Sequence, residues 1–125
     1  MPELSASRLD GQVALLVEDD VLVGMGIKSS LEQLGATVTW RNNVAGALDA
    51  VNSPTAYDFA IVDINLDGEV SAPVLDRLIE EAIYTVVSSG YDASNLDQRF
   101  QHLPRCEKPF TRASMRRLLC ERGCV

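Results

Sequence analysis

Phe59-Ala60-Ile61-Val62-Asp63-Ile64-Asn65-Leu66 is a short apolar run with one carboxylate towards its far end. Such a run reads as a strand buried on both faces, the usual state of a central strand in a parallel sheet. An acid is costly there unless it lies at the C-terminal mouth of the strand, where ligands bind in open α/β sheets. The stretch therefore points to an α/β fold and marks Asp63 as placed to react or to hold a metal.

Working outward, Val13-Ala14-Leu15-Leu16-Val17 is a second apolar run, and it stops abruptly at Glu18-Asp19-Asp20. Val23, Ile27, Leu31 and Leu34 then recur at helical spacing, and Gly35 is a natural stop. Gly24 and Gly26 weaken that helix by roughly 1 kcal/mol each relative to Ala, and the sequence gives no reason for them beyond close packing. Ala36–Trp40 alternates as a strand. Asn42 or Asn43 can cap a helix with Val44, Ala47, Leu48 and Val51 on one side, closed by Asn52-Ser53-Pro54. Beyond Asp63, Ile64–Glu69 reads as a loop. Ser71 and Pro73 suit a helix start, with Val74, Leu75, Leu78, Ile79 and Ala82 as its buried side. Tyr84–Ser88 is a strand ending in Ser89-Gly90. Residues 92–103 form a short or irregular helix, and Pro104–Glu107 a weak strand. Lys108-Pro109-Phe110 is a turn, after which Thr111 caps a helix bearing Met115, Leu118 and Leu119. Five strand–helix units in alternation predict a parallel sheet with right-handed crossovers, two helices on one face and three on the other.

The chain has 125 residues, 46% of them apolar and 23% charged. One domain of that size buries about two-thirds of its unfolded surface. Residues 1–11 read as a loose lead-in and 12–122 as the folded domain, with no output domain within the chain. Eighteen acids against eleven bases give a net charge of −7. That speaks against a nucleic-acid partner, which needs a basic footprint, and against an anionic membrane surface. Neither a signal peptide nor a membrane-length apolar run is present in the sequence, so a cytoplasmic location is expected. Cys106, Cys120 and Cys124 are odd in number and lack metal spacing, and His102 is the single histidine. Reduced thiols and a surface histidine are expected, not a zinc site.

Strand ends one, three, four and five each deliver a polar residue: Glu18-Asp19, Asp63, Ser89 and Lys108. Parallel strands bring those ends to one edge. Three carboxylates in one pocket repel, and a divalent cation offsets that cost. Hard oxygen donors suit Mg²⁺. A lysine and a hydroxyl beside them supply what an incoming phosphoryl group needs, while an Asp63 oxygen attacks phosphorus. Ser89 is preferred to Ser88 because it directly precedes Gly90, where the strand ends. Asp20 reads as a first-turn acid of the helix.

The set Val17-Glu18-Asp19-Asp20, Val62-Asp63-Ile64-Asn65, Ser88-Ser89-Gly90-Tyr91 and Lys108-Pro109-Phe110 resembles the receiver domain of bacterial two-component response regulators, over about residues 12–120. The resemblance implies a flavodoxin-like (βα)5 three-layer sandwich with sheet order 2-1-3-4-5. It implies that Asp63 accepts phosphate from a histidine kinase or histidine phosphotransfer protein and that the chain signals to a downstream protein of unknown identity. Asp19 would then bind Mg²⁺ directly, Glu18 through a bound water and Asn65 through its backbone carbonyl. Ser89 and Lys108 would hold the phosphoryl group, and Pro109 would fix the turn that aims Lys108. Such a chain is no enzyme beyond assisting its own phosphorylation and dephosphorylation, and is a monomer or weak dimer. Two positions depart from the family pattern. Leu66 is followed by Asp67-Gly68-Glu69 where Leu-Pro is frequent, and Arg105 stands where an aromatic residue often switches.

Other readings compete. A receiver-like docking module that no longer switches would use the same fold. An aspartate-nucleophile phosphatase would want an acid two residues after Asp63, where Asn65 stands. A flavin protein would want a phosphate-cradling loop after the first strand, where three acids stand instead.

Overall fold

The structure is a computed structural model that describes residues 9–66, 68–89, 97–107 and 111–120, the side chains of Ser89, Glu107, Arg112 and Cys120 excepted. In chain order its elements are β1 (Val13–Val17), α1 (Val21–Gln33), β2 (Thr37–Arg41), α2 (Val44–Asn52), β3 (Phe59–Asp63), β4 (Asn65–Leu66), β5 (Glu69–Val70), α3 (Ala72–Glu80) and β6 (Tyr84–Ser89). A 3₁₀ turn (Gln98–Phe100), β7 (Arg105–Glu107) and α4 (Arg112–Met115) follow, and α4 continues into a π-wound turn over Arg116–Cys120. The main sheet is parallel in the order β2-β1-β3-β6-β7. Counting those five strands alone, this is the expected 2-1-3-4-5.

Every residue of β3 is buried, as its apolar run requires. Alternation along the strands divides the core between two faces. Leu16, Ile61 and Val86 pack with Ile27 and Leu31 of α1 and with Met115 and Leu119 near the C-terminal end. Leu15, Val62 and Val87 pack on the opposite face with Ala47 and Val51 of α2, Val74, Leu75 and Leu78 of α3, and Phe100 of the 3₁₀ turn. Each large side chain so enclosed contributes roughly 1.5–3 kcal/mol. Among the described residues the third covering element on that second face is thus a 3₁₀ turn, where a short or irregular helix was expected.

Helix ends follow local chemistry. Asp20 caps α1 by accepting from Val23 N at 3.1 Å, and Asn43 caps α2 by accepting from Gly46 N at 2.7 Å. Thr111 Oγ1 accepts from Ser114 N while Ser114 Oγ accepts from Thr111 N, a reciprocal cap on α4. The C-terminus of α1 closes with Ala36 N donating to Leu31 O and Gly35 N to Glu32 O, and Gly35 takes φ +106°. This nested pair is a Schellman motif. The C-terminus of α3 closes the same way, with Ile83 N to Leu78 O and Ala82 N to Ile79 O, but there the left-handed residue is Ala82, at φ +56°.

Three expectations are corrected. Ala82 is exposed because α3 has already ended, and Ile79 is 40% exposed at the margin of the apolar stripe. The Ile64–Glu69 loop contains most of a short hairpin, in which Asn65 pairs with Val70 and Leu66 with Glu69. The final helix is α-wound only in its first turn. Beyond it the Leu118 carbonyl accepts a hydrogen bond from Tyr84 Oη at 2.8 Å.

Candidate functional site

β1 and β3 pair with Val17 opposite Val62. The next residues, Glu18 and Asp63, therefore stand side by side at the C-terminal edge of the sheet. Glu18 is 1% exposed and Asp63 is 7% exposed, while Asp19 is half-buried. One carboxylate oxygen from each of the three lies within 4.8 Å of the other two. The Glu18 backbone is fixed on both sides: its N–H donates to Arg41 O and its carbonyl accepts from Trp40 Nε1, both at 3.0 Å. Glu18 Oε2 accepts from Asp20 N at 3.1 Å. Asp20 itself is exposed and serves as the α1 cap.

The segment after Asp63 is held as firmly. Ile64 N donates to Ser88 O, and Ile64 O accepts from both Ser71 N and Ser71 Oγ at 3.0 Å. In an antiparallel hairpin, pairs that exchange hydrogen bonds alternate with pairs that do not. The Ile64–Ser71 bond makes the Asn65–Val70 pair one of the latter, so the Asn65 backbone groups face away from β5. Its N–H accordingly donates to Asp63 Oδ1 at 3.3 Å. Its carbonyl is turned to that same side, and its side-chain Oδ1 accepts from Gly68 N.

Glu18, Asp19, Asp63 and Asn65 are thus brought together. Ser89 ends β6 and pairs in register with Glu107, the residue that precedes Lys108 in sequence. The Ser89 side chain, Lys108 and Pro109 lie outside the described residues. Octahedral Mg²⁺–oxygen bonds of about 2.0–2.1 Å place ligand oxygens roughly 3–4 Å apart. The three acids bring one oxygen each within 4.8 Å of the other two, and their all-oxygen donor set fits Mg²⁺. Arg105 is exposed on β7. Ser88, set aside by the sequence reading in favour of Ser89, lies beside Asp63 in the β3–β6 register and is 1% exposed. Its position in the alternation of β6 was the available signal.

No protein-family model matches the chain. SdrG from Sphingomonas melonis Fr1 is 36% identical, with a TM-score of 0.77 over 86% of this chain and 92% of that one. A response regulator receiver domain (CheY-like) from Methylobacillus flagellatus is 28% identical, with a TM-score of 0.76 over 88% and 97%. The chain belongs to the response-regulator receiver family.

This receiver also shares its fold, at 21% identity and a TM-score of 0.77 over 91% of its length and 98% of the other chain, with the receiver domain of the sensor histidine kinase PA1611 from Pseudomonas aeruginosa PAO1. That structure carries a magnesium ion coordinated in its active-site cleft. The transcriptional regulatory protein QseB of Escherichia coli O157:H7 is 41% identical over 54 residues, 43% of this chain, and the match spans about a quarter (24%) of QseB. Receivers are signalling modules and not conventional enzymes. Among the described residues no helix is long and apolar enough to cross a membrane.

Proposed function

We propose that this receiver, over residues 12–122, accepts a phosphoryl group on Asp63 from a histidine kinase or histidine phosphotransfer protein and passes the signal to a downstream protein. The observation that carries the reading is the convergence of Glu18, Asp19 and Asp63 at one sheet edge, two of them almost fully enclosed. Buried acids so close together are costly without a counter-charge. Asp19 and Asp63 would hold Mg²⁺ directly, the Asn65 carbonyl would be a third protein ligand, and Glu18 would act through a bound water. When bound, the cation supplies positive charge that offsets the acids and the incoming phosphoryl oxygens.

The chain's own groups do the rest. A carboxylate oxygen of Asp63 forms a bond to phosphorus as the bond from phosphorus to the donor imidazole nitrogen breaks, and the electron pair leaves with the imidazole. The Asn65 N–H fixes the orientation of Asp63 beforehand. Ser89 would donate to one equatorial oxygen and Lys108 would pair with another. Phosphorylation would bias a protein-contact surface between two states.

The test is incubation with acetyl phosphate or phosphoramidate, with and without Mg²⁺, read by intact mass. Labelling of the wild type that needs Mg²⁺ and vanishes in Asp63→Ala is expected. Labelling that persists in Asp63→Ala would refute the assignment.

A further inference from the structure

Asp63 pairs in register with Ser88, and Ser88 with Cys106. Strand residues alternate between faces, so Asp63 and Ser88 share the face of Ile61 and Val86. They form a lateral row at the sheet edge, with Ser88 1% exposed and Cys106 8% exposed. The Cys106 thiol lies 3.7 Å from Ser114 Oγ. Ser88 Oγ is fully enclosed and makes no hydrogen bond.

That orphan is unusual among the buried hydroxyls of the described residues. The other buried hydroxyls among the described residues are bonded: Ser71 Oγ donates to Ile64 O at 3.0 Å, and Thr85 Oγ1 to Ile83 O at 2.9 Å. A buried hydroxyl with no partner lowers stability, whereas alanine there would leave no polar group to satisfy. A carboxylate has acceptor capacity for several donors, and the nearest in the row belongs to Asp63.

We propose that Ser88 is a positioning residue for Asp63. Its hydroxyl donates to the Asp63 carboxyl group when the acids close on a cation or when Asp63 carries a phosphoryl group, and so favours the loaded state over the unloaded one. The inference rests on the reading of Asp63 as phospho-acceptor. It differs from the role given to Ser89, which would hold the phosphoryl oxygens.

Thermal unfolding of the full chain separates the two ideas. Wild type, Ser88→Ala and Ser88→Thr are compared in EDTA, across a Mg²⁺ titration, and in Mg²⁺ with beryllofluoride. Ser88→Ala is expected to match or exceed the wild-type Tm in EDTA, by up to about 5 °C, because the orphan is gone. Its half-saturating Mg²⁺ concentration rises about tenfold and its beryllofluoride increment shrinks, because a charge-assisted hydrogen bond is missing. Ser88→Thr, which keeps the hydroxyl, restores the Mg²⁺ midpoint. If Ser88→Ala shows the wild-type midpoint and increment, or Ser88→Thr behaves as Ser88→Ala does, the inference fails while the phospho-acceptor reading stands. If the wild type itself ignores both Mg²⁺ and beryllofluoride, both fall.

Discussion

Replacing Asp63 by Asn removes one charge from the acid group while keeping its shape and an acceptor for the Asn65 N–H. Two unit charges at 4.8 Å, the outer limit for one oxygen from each acid, repel by about 0.9 kcal/mol at the dielectric of water and by about 3.5 kcal/mol at an effective value of 20. Asp63 takes part in two such pairs, so the repulsion among the acids alone comes to about 2 kcal/mol at the first value and about 7 kcal/mol at the second. Asp19 is half-exposed, and solvent relieves its share, so the lower figure governs. A gain of about 2 kcal/mol raises the Tm of a domain this size by roughly 6–10 °C. In EDTA at neutral pH, Asp63→Asn should therefore melt above the wild type, as followed by circular dichroism. Saturating Mg²⁺ should reverse most of that gap, since a cation at a hundredfold excess over its Kd stabilises by about 2.7 kcal/mol and the variant binds it more weakly. A variant that melts below the wild type in EDTA, together with a wild type indifferent to Mg²⁺, would show that the three acids do not act as one charged group.

Two further substitutions test packing and caps by urea unfolding. A methyl at Gly24 would collide with the Trp40 indole, whereas one at Gly26 meets nothing within 4 Å. Gly24→Ala should therefore destabilise by about 1–3 kcal/mol despite its better helix propensity, and Gly26→Ala should stabilise by up to about 1 kcal/mol. Trp40 is the single tryptophan, so its fluorescence should shift in the first variant only. Ala82→Gly should stabilise by about 0.5–1 kcal/mol, because the left-handed residue that closes α3 gains the conformation Gly prefers; a loss of stability there would mean that φ +56° is not maintained in solution.

β1, β3 and β6 were legible as short apolar runs bounded by turn residues, β2 by its alternation and β7 only weakly, while their order came from the family resemblance. The three acids were legible because they sit at the ends of those runs. What escaped had weaker or unconventional signals. The β4–β5 hairpin brackets Asp67-Gly68, a two-residue turn sequence, but the strands are two residues long and show no alternation to count. The end of α3 was overrun because its left-handed position holds alanine where α1 has Gly35. Gly24 is explained only by Trp40, sixteen residues away in sequence and across a strand–helix contact that no local pattern encodes. Ser88 looked like a spare hydroxyl beside Ser89 until the register placed it next to Asp63.

The register itself links the core to the chemistry. Val17 opposite Val62 and Val62 opposite Val87 are apolar pairs in one core, and Leu16, Ile61 and Val86 are the matching set in the other. Sliding β1 by one residue against β3 would exchange Ala14 and Leu16 with Leu15 and Val17 between the two apolar faces and change the volume each must pack. The same slip would turn Glu18 away from Asp63 and drive a carboxylate towards the apolar layer beneath α2 and α3, where an uncompensated charge costs several kcal/mol. Core packing on both faces and charge avoidance therefore favour one and the same pairing. The strand residues of the two cores are the ones that hold the three acids together at the edge of the sheet.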